Sequence, residues 1–595
     1  MSQSRSILTG RATWGIVAVI LVGALLLRTY HLSLRGLQAG DESRYYGGAA
    51  KVAAHIRWAL GRIIAGRSGS AAESQQALMA SVMEAGGTKQ FIPSTKPIFG
   101  LLAAAFLILL GPSTYHFMLL NAILGTATVL IIFAMARRLQ PDSFSYALAA
   151  ALALGLSGFH LMWSRSGYAQ ATAVCLYALG LAFYARAAWG PGRSRRWFFI
   201  AGLALGASAA AHPVLWVYLP VCWVTEGYRT LRERAWRRGG LNLALLMAGV
   251  LLVAGCMELL TWRTGQWLPA AFPDLYRDGL ARYSQGLDHS QDVMTGDKQG
   301  LQIDWRWRVS GYLLMPFLYG EGLVLSGLAV IGLWLLARRL PMDRSGRWFF
   351  IGAGLVVPIA LLLAADTKPY DRNLAPLSVS VALLAALTLV AGWRRLPRFV
   401  SGWAVAAFVV LQFLHAAYLF DLRSGYALAA EWLSHHGGGT VLVPHHGKET
   451  PWFTNGVHEL YYVRSITADG SFEAVDVPWE RRRRSLPMGT RLYAGLVNEG
   501  KQMPSADAAW ARLIDFDAPV GRFPNTAPET AKKLELLRTA RVLARRMGWD
   551  GAVARMDRLI EKEERVIASG ALSLYPLKQQ GLAVTAQEQI DVAAN

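Results

Sequence analysis

The sequence predicts an α-helical polytopic membrane protein with about eleven spanning helices, followed by a soluble α/β domain. Two observations predict this fold class. The 595 residues are 53% hydrophobic and their mean hydropathy is positive, which is more apolar surface than a soluble protein can cover. The apolar residues also fall in blocks of about 17 to 25, each long enough to cross about 30 Å of hydrocarbon as a helix. Such a chain needs the bilayer as its solvent.

Basic residues concentrate in the linkers between the apolar blocks. These Arg-rich linkers are Arg137-Arg138 and the stretches 186–196, 229–238, 338–347 and 393–398. Short basic linkers stay on the cytoplasmic side and contact anionic lipids. The net charge of +21 therefore indicates membrane anchoring, and nucleic acid is not a predicted partner.

The number of crossings follows from keeping every Arg-rich linker, and the N-terminus, on the cytoplasmic side. The short apolar stretch 97–111 lies between a Lys-Pro and a Gly-Pro, so we assign it to a surface or re-entrant helix. The first block is interpreted as a retained span because no small-residue cleavage site follows it. The predicted spans are 13–29, 113–136, 145–163, 168–188, 197–211, 213–228, 240–262, 321–338, 348–365, 374–392 and 399–420.

This odd number of crossings divides the chain into two predicted domains. Residues 1–420 form the membrane domain, whose external loop 30–112 carries surface helices, and residues 421–595 form the extracytoplasmic domain. Gly439 to Pro444 is predicted to be a strand, and Ala527 to Ile567 one or two helices. The break at His212-Pro213 is predicted to be a tight external turn, with one kinked helix as the alternative.

Ionisable residues at the external ends of spans are the candidate site, because burial there is costly and needs a partner or a task. Asp41 and Glu42 come first, followed by Arg44 and Tyr45. A carboxylate here could act as a general base on an acceptor hydroxyl. The alternative is a helix start, with Asp41 as its N-cap.

Cations follow in other external segments. Lys96 opens the surface helix and could bind a lipid phosphate, or could simply reach the headgroups. Arg165 ends one span, Gln170 begins the next, and His212 marks another external end.

The segment 366–373 adds Lys368, Tyr370 and Arg372 directly before a late span. The planar guanidinium of Arg372 can bind two phosphate oxygens. The alternative is a capped helix start with surface charges.

Four motifs occur in the order found in the GT-C class of glycosyltransferases that use polyprenyl-phosphate sugars. They are GDESRYY, TKPIFGLLAAAFLILLG, WSRSGYAQ and DRNLAPLSVSVALLAAL, and they extend over about 420 residues. The chain thus resembles the protein O-mannosyltransferases and the lipid A aminoarabinose transferases. The family commonly has an acid at the position of Gln170. Its members also have a shorter loop than the one that joins Glu42 to Lys96 in this chain.

The resemblance implies an enzyme of the bacterial inner membrane. It implies that Asp41 is the base, that Glu42 is its neighbour, and that a divalent cation could bind beside them. Lys96, Arg165 and Arg372 would hold the lipid phosphate of a hexosyl or pentosyl donor. The acceptor is left open among lipid, protein and polysaccharide. The alternatives are a transporter or lipid flippase, and an inactive family member that acts as a scaffold.

Overall fold

The structure is a computed structural model that describes most of the predicted membrane domain and parts of the C-terminal region. The described residues are 10–37, several positions between 42 and 53, 96–111, 113–190, 194–263, 320–340, 346–364, 371–425, 439–445, 472–478, 490–497, 521–524, 528–569 and 571–576, with a few isolated positions. They divide into two compact units. The first unit is Met1–Tyr30, Ala59–Ala105 and Met118–Ala416; the second unit is His31–Trp58, Phe106–Phe117 and Ala417–Asn595.

Most of the described residues before position 421 are helical. The α-helices are α1 (Gly10–Thr29), α2 (Leu32–Arg35), α3 (Pro97–Leu110), α4 (Thr114–Leu139), α5 (Phe144–Gly155), α6 (Gly158–Ser164), α7 (Gln170–Trp189), α8 (Arg196–Ala211), α9 (Pro220–Glu233), α10 (Trp236–Arg263), α11 (Gly322–Arg339), α12 (Arg347–Ala364), α13 (Asp371–Leu374), α14 (Leu377–Arg395) and α15 (Arg398–Ala416). Two 3₁₀ helices, Pro213–Val217 and Ala417–Phe420, follow α8 and α15.

The helices confirm a polytopic membrane fold. Seven in the described chain are long and apolar enough to span a bilayer: α1, α4, α7, α10, α11, α14 and α15. The pair α5 and α6 bends by 58° and makes an eighth span if it crosses as one. The apolar helices α3, α8 and α12 are shorter, so the count of eleven stays a prediction.

The chain breaks at His212-Pro213, as the sequence predicts. Helix α8 ends at Ala211, and His212 has an extended backbone. The following proline then starts a 3₁₀ helix, where its missing N–H is not needed. A single kinked helix through this position is therefore wrong.

Glycines allow the helices of the first unit to approach closely. Gly202 of α8 lies against the backbone of Leu246 in α10, and Gly249 of α10 lies against Phe199 of α8. Gly332 of α11 lies in the same way against the carbonyl of Leu384 in α14. Inside a bilayer the hydrophobic effect does not drive helices together, because lipid chains are as apolar as the side chains. Close packing at small residues therefore stabilises the contacts between membrane helices.

The C-terminal region combines a sheet with a helix pair. The strands are β1 (Gly439–His445), β2 (Phe472–Pro478), β3 (Thr490–Val497), β4 (Gly521–Pro524) and β5 (Ala571–Pro576). Their order is β2-β1-β3-β5-β4, and β1 is parallel to β2 and β3 whereas β5 is antiparallel to β3 and β4. Helices α16 (Pro528–Arg546) and α17 (Asp550–Ser569) pair through Arg538–Glu564 and Arg541–Asp557. The predicted strand and helices are confirmed, whereas the boundary at residue 420 stays a prediction.

The topology can be tested with reporter fusions. A reporter after Phe420 is expected on the extracytoplasmic side, and a reporter within 229–238 on the cytoplasmic side, because short Arg-rich linkers are retained inside. Paired alkaline phosphatase and fluorescent protein fusions measure both positions in the same cells. A cytoplasmic reporter after Phe420 would contradict the predicted odd number of crossings.

Candidate functional site

The predicted site residues fall into three groups. Asp41, Arg44, Lys368 and Tyr370 lie outside the described residues, and Arg372 is placed in α13 without a described side chain. Glu42 and Tyr45 are buried in the second unit. Lys96, Arg165, Gln170 and His212 are buried in the first unit.

Glu42 is half of a buried ion pair. Arg35 Nη1 lies 3.2 Å from Glu42 Oε1, and both side chains are buried. The same nitrogen donates to the carbonyl of Gly36 at 2.9 Å. The carboxylate of Glu42 thus has a fixed cationic partner. The role predicted for Glu42, as the neighbour of a base, is compatible with this pair, and Arg35 is a residue that sequence reasoning missed.

The residues after Glu42 pack as one helical face. Glu42, Tyr45, Tyr46, Ala49 and Ala53 are buried at the spacing of one side of a helix. The ring of Tyr46 also meets the ring of Phe117 edge to face at 5.5 Å. The acidic motif is thus fixed in the second unit by its aromatic residues.

Two buried arginines in the first unit donate to backbone carbonyls near the bend of α5 and α6. Arg28, near the end of α1, donates from Nη1 to Ala24 at 2.8 Å and to Gly155 at 3.4 Å. Arg165, which follows α6, donates from Nη1 to Leu27 at 2.7 Å. Gly155 is the last residue of α5, so Arg28 satisfies a carbonyl at the bend between α5 and α6. The two arginines are close enough to repel each other.

His160 completes this cluster. Arg28 Nη2 lies 2.7 Å from His160 Nδ1, and an arginine can only donate, so Nδ1 accepts and the imidazole is neutral with its proton on Nε2. Gly125 of α4 lies against the cluster, where an added Cβ would be 2.7 Å from Ser164 Oγ and 3.0 Å from Arg28 Nε. Arg28, His160 and Gly125 escaped sequence reasoning because they lie far apart in the chain.

The loop that carries Arg165 is held from α4. Asn121 Nδ2 donates to the carbonyls of Ser166 and Tyr168, both at 2.7 Å. Thr172 Oγ1 donates in turn to Asn121 Oδ1 at 3.1 Å. This buried network fixes the loop and therefore the position of Arg165.

Gln170 and His212 form a neutral hydrogen-bonded pair. The backbone N–H of Val214 donates to His212 Nδ1 at 3.3 Å, which places the imidazole proton on Nε2. The side-chain amide nitrogen of Gln170 is placed 3.1 Å from His212 Nε2. Because that nitrogen of His212 carries the imidazole proton, the amide is flipped so that its oxygen accepts a hydrogen bond from His212 Nε2. The position where the family has an acid thus carries an uncharged pair.

The segment that carries Arg372 is anchored by a tyrosine. Tyr218 Oη donates to the carbonyl of Asn373 at 2.8 Å. Its ring packs edge to face on Tyr177 of α7 at 5.6 Å. These contacts fix the backbone next to Arg372 against the helices of the first unit.

A buried carboxyl occurs at Glu321, which the sequence left unassigned. The hydroxyl of Ser157 is close enough to interact with this carboxyl, which is otherwise buried away from polar partners in the described chain. Its backbone carbonyl accepts from Gln412 Nε2 at 3.0 Å. Ser157 lies at the bend between α5 and α6, so an acid and a broken helix occur together here.

The divalent cation is predicted beside Asp41 and Glu42, and Asp41 lies outside the described residues. Within the described residues, no three or more His, Cys, Asp or Glu side chains lie together as a ligand group. Glu42 already has Arg35 as its cation. A divalent cation beside Asp41 and Glu42 stays a prediction.

No family model matches the chain, and no curated protein does. Solved structures do. ArnT from Cupriavidus metallidurans in the apo state matches with a TM-score of 0.46 and 17% identity over 77% of this chain and 76% of ArnT. ArnT bound to undecaprenyl phosphate matches with a TM-score of 0.45 and 14% identity over 76% of each chain.

The archaeal oligosaccharyltransferase AglB from Archaeoglobus fulgidus, in complex with an inhibitory peptide and a dolichol-phosphate, matches with a TM-score of 0.46 and 11% identity over 96% of this chain and 88% of AglB. These similar proteins are GT-C glycosyltransferases. With every TM-score below 0.5, the likenesses establish neither the reaction nor the substrate of this chain.

The buried pair of Arg35 and Glu42 can be tested by a double-mutant cycle. Arg35→Met or Glu42→Gln alone is expected to cost about 3–5 kcal/mol of stability, because each leaves the partner buried without its counter-charge. The double variant should recover much of this loss. Thermal unfolding in detergent gives the comparison.

The exposed pair Arg538–Glu564 in the same unit is the matched control. Breaking it should cost at most about 1 kcal/mol. Additive losses for Arg35 and Glu42 would mean that the pair does not exist in the folded protein.

Proposed function

We propose that this chain is a membrane glycosyltransferase that moves a sugar from a polyprenyl-phosphate carrier to an acceptor on the extracytoplasmic face. The observation that carries the proposal is buried positive charge beside the bend of α5 and α6. Arg28 and Arg165 are both buried there, and Arg28 pairs with no carboxylate among the described residues.

A guanidinium is expensive to bury, with an effective cost of several kcal/mol, unless an opposite charge accompanies it. Carbonyls and His160 satisfy hydrogen bonds of Arg28 but leave its charge unbalanced. A phosphate group arriving at this end of the spans would balance that charge. Lys96 and Arg372, predicted at the same external ends, would add to the positive field.

The proposed reaction is a displacement at the anomeric carbon. Asp41 accepts the proton of the acceptor hydroxyl, whose oxygen forms the new bond to the sugar carbon. The bond between that carbon and the phosphate oxygen breaks, and its electron pair leaves with the lipid phosphate. Negative charge grows on the phosphate in this step, so fixed cations stabilise the transition state more than the bound donor.

The other candidates have supporting roles in this proposal. The neutral pair of Gln170 and His212 offers hydrogen bonds that suit sugar hydroxyls. Arg44, Tyr45, Lys368 and Tyr370 belong to the same motif segments and are proposed to contact the donor or the acceptor.

Undecaprenyl phosphate and dolichol-phosphate occur in the ArnT and AglB structures and provide the donor class for experiments. We place the enzyme in the bacterial inner membrane, with a cytoplasmic N-terminus.

A transporter or lipid flippase is the second candidate. The observation in its favour is Glu321, a buried carboxyl beside the broken helix formed by α5 and α6. Transporters place ionisable residues at such breaks. A flippase would move labelled polyprenyl-phosphate sugar between the leaflets of a vesicle without cleaving it, whereas a transferase releases the lipid phosphate.

Asp41→Asn tests the proposed base. Sugar transfer from a radiolabelled polyprenyl-phosphate sugar should fall by at least about a hundredfold, because a positioned base contributes about 10² to 10⁴ in rate. Asparagine keeps the size and the capping ability of aspartate, so a helix-cap role predicts little change. Unchanged transfer by Asp41→Asn together with unchanged transfer by Glu42→Gln would refute an enzymatic role for this motif.

Arg372→Ala tests the phosphate ligand. Transfer at limiting donor should fall by about tenfold or more, since the cation stabilises charge that grows on the leaving phosphate. Arg372→Lys should retain part of the activity because it keeps the charge and loses the planar guanidinium. The control is Arg395→Ala, at an exposed arginine that ends α14 in an Arg-rich linker. If Arg372→Ala and Arg395→Ala had equal activity, the proposed role of Arg372 as a phosphate ligand would be wrong.

A further inference from the structure

A second cluster of arginines lies at the end of the spans that carries the Arg-rich linkers. Arg138, in the last turn of α4, donates from Nη1 to the carbonyl of Ala182 in α7 at 3.2 Å. Arg186 lies one turn after Ala182 on the same helix, and the two arginines are close enough to repel each other. The fold thus holds two like charges together at the junction of two spans.

An aromatic platform fixes the second arginine. The guanidinium of Arg186 lies over the ring of Trp197, with 4.1 Å from its carbon to the ring centroid. Trp197, at the start of α8, is itself stacked on Phe183 of α7 at 5.4 Å. Arg196 adds a third guanidinium 5.6 Å from the same ring. A guanidinium that stacks on an aromatic ring keeps its N–H donors in its own plane, where they can donate to a ligand at its edge.

The described part of the chain places no acid against these three charges. Among the described residues, Arg138, Arg186 and Arg196 pair with no carboxylate, and the connecting sequence 187–197 contains no Asp or Glu. Arg229 at the same end of the spans shows the contrast, because Glu226 lies 2.6 Å and Glu233 3.6 Å from it. The protein therefore neutralises one arginine internally and leaves a group of three for a ligand.

We infer that Arg138, Arg186, Arg196 and Trp197 form a binding site for the phosphate of an anionic phospholipid. Trp and Arg both prefer the headgroup layer, and α4 and α7 that carry the site are apolar spans. A lipid headgroup is thus the anion already present at this depth. The cluster offers no acid to a choline or ethanolamine group, so the charge favours a lipid with a net negative headgroup over a zwitterionic one. This site does not depend on the proposed sugar transfer.

The test measures lipid binding to the full chain in detergent by native mass spectrometry and by thermal shift. Phosphatidylglycerol should bind and raise the unfolding temperature, and phosphatidylcholine should do neither. Arg138→Gln with Arg186→Gln should weaken phosphatidylglycerol binding at least tenfold, and Arg186→Lys should give an intermediate loss. Arg395→Gln, which removes an exposed arginine at the same end, should have no effect.

The single variant Arg186→Gln guards against misfolding of the double variant, since Arg186 is half-buried and, within the part of the chain that the structure describes, donates to no carbonyl of another helix. Equal binding of phosphatidylcholine, or unchanged binding by both Gln variants, would overturn the site. Inorganic phosphate that displaces phosphatidylglycerol at equal concentration would also overturn it, because the site would then bind a soluble anion.

Discussion

The packing of the helices in the first unit depends on hydrogen bonds that buried arginines donate to backbone carbonyls in an apolar solvent. A bent or broken helix leaves carbonyls without partners, and lipid cannot supply a donor. Arg28 supplies one to Gly155 at the bend of α5 and α6, and Arg165 supplies one to the end of α1. The same side chains that permit the bend therefore bring two guanidinium groups into one place. The bend of α5 and α6 is therefore accompanied by a local positive field.

The protein treats its buried cations in two ways. Arg35 and Arg229 are neutralised by Glu42 and Glu226, so their pairs are structural elements with little charge left to offer. Arg28, which is buried, and Arg138, which is half-buried, instead donate to carbonyls, which satisfies hydrogen bonds without cancelling charge. A charge kept in this second way is costly unless a ligand completes it. This distinction is why Arg28 and Arg138 belong to proposed phosphate sites, whereas Arg35 and Arg229 do not.

Local patterns in the sequence were enough to predict most of the helices, the break at His212-Pro213, strand β1 and the two C-terminal helices. Each depends on hydropathy, proline or short-range periodicity, which a single stretch of chain contains. The predicted continuous span 145–163 is wrong, because α5 and α6 meet at a bend of 58° within it. The span count was harder, because α8 and α12 are apolar but short, and α9 begins after a 3₁₀ turn.

The candidate site shows the limit of such reasoning. Arg28 and His160 are 132 residues apart, and Asn121 lies 45 residues before the carbonyl of Ser166 that it holds. No local pattern marks these residues, because only helix packing brings them together. The partner of Glu42 was missed for a related reason: an arginine seven residues earlier is no recognised motif until the chain turns back at Gly36. The order of the motifs predicted a class of reaction, and the packing shows which of their side chains already have partners.

The central claim is that the buried positive charge of Arg28 is balanced by a lipid phosphate. Its most direct test is equilibrium binding of radiolabelled undecaprenyl phosphate to the purified chain in nanodiscs of zwitterionic lipid, for wild type, Arg28→Met and Arg395→Met. Wild type and Arg395→Met should bind equally, and Arg28→Met should bind at least about tenfold more weakly while remaining folded, since one phosphate contact to a buried cation is lost. Undiminished binding by folded Arg28→Met would contradict the account.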